Sequence, residues 1–166
     1  GLEILIGTQL ADLIIPELPA LQLEIDEHHK HKDVYEHSLK VLSQAIDLEA
    51  LHEPTSEPDL ILRLAALLHD IGKPKTRRFE TGGGVSFHHH EVVGAKIARK
   101  RLAALRYSNE VIDSVTKLIE LPRWALLDYP LAPTAPSVSQ PAALVLISTF
   151  AQAHYRHSSA LLGPSS

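Results

Sequence analysis

The stretch PDLILRLAALLHDIGKP, residues 58–74, decides how this chain folds. From Leu60 to Leu68 it is apolar almost all round, and Arg63 is its one clear interruption. The spacing predicts a helix over about 58–70, and a helix without a polar face belongs at the centre of its domain. Gly72 and Pro74 are expected to stop it, as a C-terminal glycine followed by proline does. His69-Asp70 therefore lies at the end of the most buried helix. A lone core histidine is usually satisfied by a backbone group, so Asp70 is what makes the pair chemically informative. An ionised carboxylate in apolar surroundings costs several kcal/mol unless it is paired or metal-bound. The helix C-terminus adds partial negative charge, which a cation relieves. A metal site is the preferred reading, and a polar core network is the alternative.

Outward from this helix the chain remains mainly helical. Toward the N-terminus, Asp33 is a candidate N-cap for a helix to about Leu48. Val34, Val41, Ala45 and Leu48 form one stripe of it, and His37 lies on that stripe. His37 is thus expected to meet His69-Asp70 across the bundle, with facing helices supplying histidine and carboxylate ligands. Such nitrogen and oxygen donors suit Mn²⁺, Fe²⁺, Zn²⁺ or Mg²⁺ without choosing among them. Residues 1–15 carry apolar residues at helical spacing, Pro16 and Pro19 mark a connector, and LHEPTSEP (51–58) is a loop. Residues 76–87, TRRFETGGGVSF, read as two short arms around Gly82-Gly83-Gly84, a hairpin-like excursion between the third and fourth predicted helices. Neither GxxxxGK[ST] nor GxGxxG is present, so the glycines read as a turn and not as a phosphate cradle. Helices are predicted over about 89–106 and 108–121, the second capped by Ser108.

With 166 residues, 45% hydrophobic and 22% charged, the composition suits one ordinary domain with a real core. The absence of cysteine excludes a disulfide framework, a thiolate nucleophile and Cys-ligated zinc. No apolar run reaches the roughly 18 residues of a membrane span. The opening Gly1-Leu2-Glu3-Ile4 lacks the basic start of a secretory signal, so the expected setting is cytoplasmic, without a membrane partner. A net charge of −4 hides an uneven distribution. Residues 73–106 hold Lys73, Lys75, Arg77, Arg78, Lys96, Arg99, Lys100, Arg101 and Arg106 against only Glu80 and Glu91, a net +7. Such an island suits a local contact with phosphate or RNA, and the competing reading is a solvated helix face. Eleven histidines are present, nine of them between His28 and His90, including the triple His88-His89-His90. Clustered histidines near carboxylates point first to metal and then to acid–base chemistry, whereas His28, His29 and His31 read as surface residues. Residues 123–166 differ from the rest, with Arg123, Asp128 and Arg156 as their only charged side chains. The segment ALVLISTFAQA (143–153) is a candidate helix there.

The spacing of His37 in HSLKVL to His69-Asp70 in LLHDIGKP resembles the HD superfamily of metal-dependent phosphohydrolases. A closer resemblance runs from about Thr8 to Leu121, through TQLADLIIPELPALQLEIDEHHKHKDVYEHSLKVL, RLAALLHDIGKPKTRRF and GGGVSFHHHEVVGAKIARKRL. It is to bacterial, actinobacterial-type CCA-adding tRNA nucleotidyltransferases of the poly(A) polymerase family. The resemblance implies a mainly α, HD-type helical bundle over 33–121, a leading helix and connector over 1–32, and a divergent tail over 122–166. It makes His37, His69 and Asp70 metal ligands, with His88, His89 and His90 where further metal or phosphate ligands often stand. Mg, Mn, Fe, Zn and Ni are not distinguished. Asp70 is given a catalytic role, and Lys73 a place beside a bound phosphate, against the alternative of a solvated lysine. The implied partners are tRNA or another RNA backbone, with Lys73, Lys75, Arg77, Arg78, Lys96, Arg99, Lys100 and Arg101 on its phosphates, and a nucleotide or phosphoester substrate. Two departures stand out. The Gly-Ser turn and paired aspartates of the nucleotidyltransferase head are missing, so these residues alone are not expected to add nucleotides. The closing Asp of the HD set is also missing, and Asp128 is the only acidic residue in the tail. A catalytically silent RNA-binding module and a free-standing HD nucleotide phosphohydrolase are the alternatives.

Overall fold

The computed structural model describes residues 1–23, 34–52, 54–55, 57–82 and 84–121. These residues form a helical bundle: α1 (Leu2–Gly7), α2 (Leu10–Ile14), a 3-10 turn at Pro19–Leu21, α3 (Val34–His52), α4 (Leu60–Leu68), α5 (Lys73–Thr76), α6 (His90–Ala104) and α7 (Asn109–Glu120). Between α5 and α6 stands a hairpin of β1 (Arg78–Phe79) and β2 (Val85–Ser86), paired antiparallel. The expected Gly-rich excursion is thus a small hairpin, turned at Gly82, whose φ of 120° suits only glycine without strain. The proposed cap Asp33, the surface assignment of His28, His29 and His31, and every expectation for residues 122–166 lie outside the described residues.

The centre of the bundle is α4, as its sequence predicts. It packs against α3 on one side and α7 on another, while α6 pairs with α7. Leu62, Leu68, Val41, Leu102 and Val115 are fully buried here. Each such leucine contributes roughly 1.5–3 kcal/mol by leaving water. Leu18 and Leu21, from the connector after Pro16, are fully buried as well, which ties the leading segment into the same core. Arg63, the one interruption in the apolar helix, is used structurally. Its Nε donates to Glu49 of α3 at 2.9 Å, and the buried Glu49 carboxylate also accepts from the Asp59 backbone N–H. Asp59 in turn caps α4, accepting from Leu62 N at 3.0 Å. Glu49 therefore closes the α3–α4 loop by satisfying both the cap residue and the helix's only charged side chain.

Three expectations are corrected. Residues 1–15 are two short helices and not one, because Gln9 turns left-handed (φ 60°) and Thr8 Oγ1 donates back to Ile4 O at 2.7 Å. The helix expected to reach residue 70 ends at Leu68, so that His69 and Asp70 sit in a turn. Pro74 does not end helical structure but occupies the first turn of α5, where a missing N–H costs nothing. Ser108 caps α7 as expected, accepting from Val111 N at 3.3 Å.

Candidate metal centre

The turn after α4 delivers His69 and Asp70 into the core, where both are buried. His37 reaches the same point from the inward stripe of α3, and its ring packs edge-on to that of His69 with centroids 5.5 Å apart. Asp70 Oδ2 gathers three groups: His69 Nε2 at 3.1 Å, His37 Nε2 at 3.8 Å and Lys73 Nζ at 2.7 Å. His90, the first residue of α6, approaches the other oxygen, with Nε2 at 3.5 Å from Oδ1. One ligand atom each from His37, His69 and Asp70 lies within 4.8 Å of the others, close enough to share one ion.

The second nitrogen of each ring decides what faces Asp70. His69 Nδ1 lies 2.8 Å from Ala66 O, and His90 Nδ1 lies 2.9 Å from Phe87 O. A carbonyl oxygen only accepts, so the hydrogen-bond network assigns the Nδ1 proton in both rings. In the neutral tautomer, each Nε2 then directs a lone pair at a buried carboxylate. Acceptor facing acceptor is unfavourable unless a cation lies between them or the ring is protonated. This is also how metal-ligating histidines are commonly held, with the distal N–H fixed by a carbonyl. The donor set fits a borderline divalent metal. The carboxylate itself is kept ionised: burial pushes the Asp70 pKa upward, but the charge and hydrogen bond that a protonated His69 ring offers, and those of the Lys73 ammonium at 2.7 Å, outweigh it. The carboxyl is held well below the usual carboxylate range.

Glycine packing sets the position of α6. Gly72 stands so close to α6 that a Cβ there would meet His90 O at 2.1 Å and Gly94 N at 2.7 Å. The sequence alone marks Gly72 only as a helix stop. Its role is to let the N-terminus of α6 come down onto the turn, which brings His90 to Asp70. His88 and His89 are exposed in the turn before α6, and only His90 of the triple approaches Asp70. Lys73 lies on the Asp70 carboxylate, with Nζ also 5.6 Å from the centre of the Phe87 ring.

The side chains of the basic island differ in what they contact. Arg101 forms a two-pronged pair with Glu17 at 2.8 and 3.0 Å and anchors the leading segment to α6. Arg99 reaches α7, at 2.7 Å from Asp113 and 3.0 Å from Thr116. Arg77 lies over the Phe79 ring, whereas Lys75, Arg78, Lys96, Lys100 and, despite its pair, Arg99 are exposed.

A helical bundle with a buried aspartate met by histidines from α3, the α4 turn and α6 defines a class of protein, and a family model tests the assignment. The HD domain model matches residues 34–147, more than half of the chain, and the chain belongs to the HD domain family. The match runs past Leu121 into the stretch whose composition departs from the rest. Among curated proteins, the chain is similar to the CC-adding tRNA nucleotidyltransferase of Thermus thermophilus, 38% identical over 120 residues, 72% of this chain and 26% of that protein. It is 34% identical over 121 residues to the A-adding tRNA nucleotidyltransferase of Deinococcus radiodurans, again 72% of this chain and 26% of the relative. A Multifunctional CCA protein of Legionella pneumophila is 33% identical over 103 residues, 61% of this chain and 22% of its own length. The chain spans about a quarter of the length of these relatives. Among the described residues, no helix is long and apolar enough to cross a membrane.

Proposed function

We propose that this chain is the HD region of a CCA-adding-type tRNA nucleotidyltransferase, working in the cytoplasm, where it holds a divalent cation, binds RNA phosphates and carries phosphohydrolase chemistry. The observation that supports this most strongly is the convergence of His37, His69 and His90 on one buried, ionised carboxylate. His37, His69 and Asp70 are the ligands, with His90 in reserve on the second carboxylate oxygen. When bound there, a divalent cation supplies Lewis-acid polarisation of a phosphoryl oxygen and a water of lowered pKa. The chain's own groups do the rest. Ala66 O and Phe87 O hold the rings of His69 and His90 with Nε2 inward. Lys73 carries three N–H donors beside the carboxylate, able to turn from Asp70 to a phosphate oxygen. Lys75, Arg78, Lys96 and Lys100 are the exposed cations for RNA phosphates, and the tRNA partner comes from the relatives' names.

One observation favours a second reading. Lys73 Nζ, 2.7 Å from Asp70, already offsets the buried charge, so a metal-free, catalytically silent RNA-binding module is also a stable arrangement. The experiment is metal analysis of the purified full chain and of its His69→Ala and Asp70→Ala variants, with hydrolysis of bis(p-nitrophenyl) phosphate measured alongside. Bound metal and metal-dependent hydrolysis are expected in the wild type, and both are lost in Asp70→Ala. Equal metal content in wild type and Asp70→Ala overturns the metal site, a wild type with neither metal nor hydrolysis assigns the metal-free silent module, and bound metal without hydrolysis overturns the phosphohydrolase chemistry.

A further inference from the structure

Phe79 in β1 is 66% exposed, and the exposed Lys75 and Arg78 precede it in a stretch, residues 74–79, that contains no acidic residue. Strand alternation puts Arg77 and Phe79 on one side of the backbone. The Arg77 guanidinium lies over the Phe79 ring, 4.8 Å from its centre. The strand is held by pairing with β2, Phe79 opposite Val85 and Arg78 opposite Ser86, and by Glu80 N donating to Gly84 O at 2.8 Å. Ser86 Oγ donates to the Glu80 carboxylate, which keeps the one nearby acidic group engaged within the hairpin.

A flat apolar ring, a planar cation stacked on it and exposed cations in the residues just before it are the parts of a site for single-stranded nucleic acid. Bases stack on the aromatic face, the guanidinium adds a second planar surface, and the lysines and arginines follow the phosphates. A single exposed phenylalanine is ordinary on a protein surface. The stacked arginine and the exposed Lys75 and Arg78 give this one a partner of defined chemistry. We propose that Phe79 of β1 and the Arg77 guanidinium stacked on it take up an unpaired base of an RNA strand, with Lys75 and Arg78 on the neighbouring phosphates. The proposal deepens the RNA-binding reading above and rests on it. It adds a requirement for an unstacked base, which phosphate binding alone does not have. The same short segment connects the two functions, because Lys73 at the metal centre and Phe79 are six residues apart, and β2 leads back through Phe87 to His90.

The test uses the full chain, a fluorescently labelled mixed-sequence single-stranded RNA and a blunt RNA duplex of the same length, with anisotropy titrations at several salt concentrations. Phe79→Ala is expected to bind the single strand roughly ten-fold more weakly, with its salt dependence unchanged and its duplex affinity unaltered. Phe79→Trp restores single-strand binding. Lys75→Gln does the opposite of Phe79→Ala, lowering the salt slope for the single strand by about 0.7. Phe79 is exposed, so the Ala variant keeps the fold, and Phe79→Trp controls for any that it loses. Equal single-strand affinity in wild type and Phe79→Ala overturns the stacking site while leaving phosphate binding intact. Equal weakening for duplex and single strand also overturns it. A wild type with no salt-dependent affinity for either RNA removes the underlying RNA reading, and the stacking site with it. Binding to anionic phospholipid vesicles that Phe79→Ala abolishes, with RNA affinity unchanged, assigns the face to a membrane surface and overturns the proposal.

Discussion

Gly72→Ala is the most direct probe of how the centre is built. Gly72 has φ −78° and ψ −19°, which alanine adopts without strain, so the backbone raises no objection. On that ground alone the substitution is stabilising by about 0.4–1 kcal/mol, because it restricts the unfolded chain. Packing opposes it. The new methyl would sit 2.1 Å from His90 O, 2.7 Å from Gly94 N and 3.0 Å from His90 C, all backbone atoms of α6. No side chain can rotate away, so α6 has to lift by an ångström or more. Overpacking of this kind costs typically 1–3 kcal/mol, and a rigid backbone partner puts it at the upper end. The packing cost wins, for a net loss of about 2 kcal/mol. At 2–4 °C per kcal/mol for a chain near this size, Tm falls by about 4–8 °C. Gly94→Ala is the control: its Cβ would meet Gly72 N at 3.3 Å and Ile119 Cγ2 at 3.5 Å, contacts that small adjustments absorb. Its loss of a mid-helix glycine returns up to about 1 kcal/mol, so it is expected within about 1 kcal/mol of wild type. Urea unfolding and calorimetry of the three proteins decide the matter. A Gly72→Ala protein as stable as wild type refutes the argument that close approach of α6 holds His90 at Asp70.

Three further outcomes follow from the same contacts. Replacing Lys96 and Lys100 with glutamine is expected to lower the salt slope of tRNA binding by about 0.7–0.9 per residue, whereas Arg101→Gln, whose guanidinium is engaged with Glu17, changes it little; equal effects at all three count against this division of the island. Asp70 has a depressed folded pKa, so its contribution to stability is fully present above about pH 4 and is lost as pH falls toward the folded value; urea unfolding between pH 7 and pH 2.5 should show a shallower acid loss in Asp70→Asn than in wild type, and parallel curves contradict it. Asp128→Asn is expected to leave the metal content of the purified chain unchanged, because the ligands proposed here are His37, His69 and Asp70, and loss of metal in this variant would bring the C-terminal stretch into the site.

The helical class, the central place of α4 and the meeting of His37 with His69-Asp70 were legible in the sequence because each follows from a local pattern. An unbroken apolar helix has to be buried on all sides, and residues on one stripe of α3 have to face it. A charged residue inside that helix has to find a partner, and the sequence exposes Arg63 as such a residue, although not that Glu49 receives it. The tertiary structure alone decided the rest. Which member of His88-His89-His90 reaches Asp70 depends on where α6 starts and how closely it docks, and docking distance is a property of Gly72 against α6 that no spacing reveals. The basic island reads as one run of charge along the chain, yet Arg101 is spent on Glu17, 84 residues away, while the exposed Arg99 also reaches Asp113 of α7. Charge is additive along a sequence, but availability is not, since an ion pair forms with whatever the fold brings within reach. Local periodicity therefore determined the elements and the core of this protein, and long-range contact decided which side chains remain free to meet a ligand.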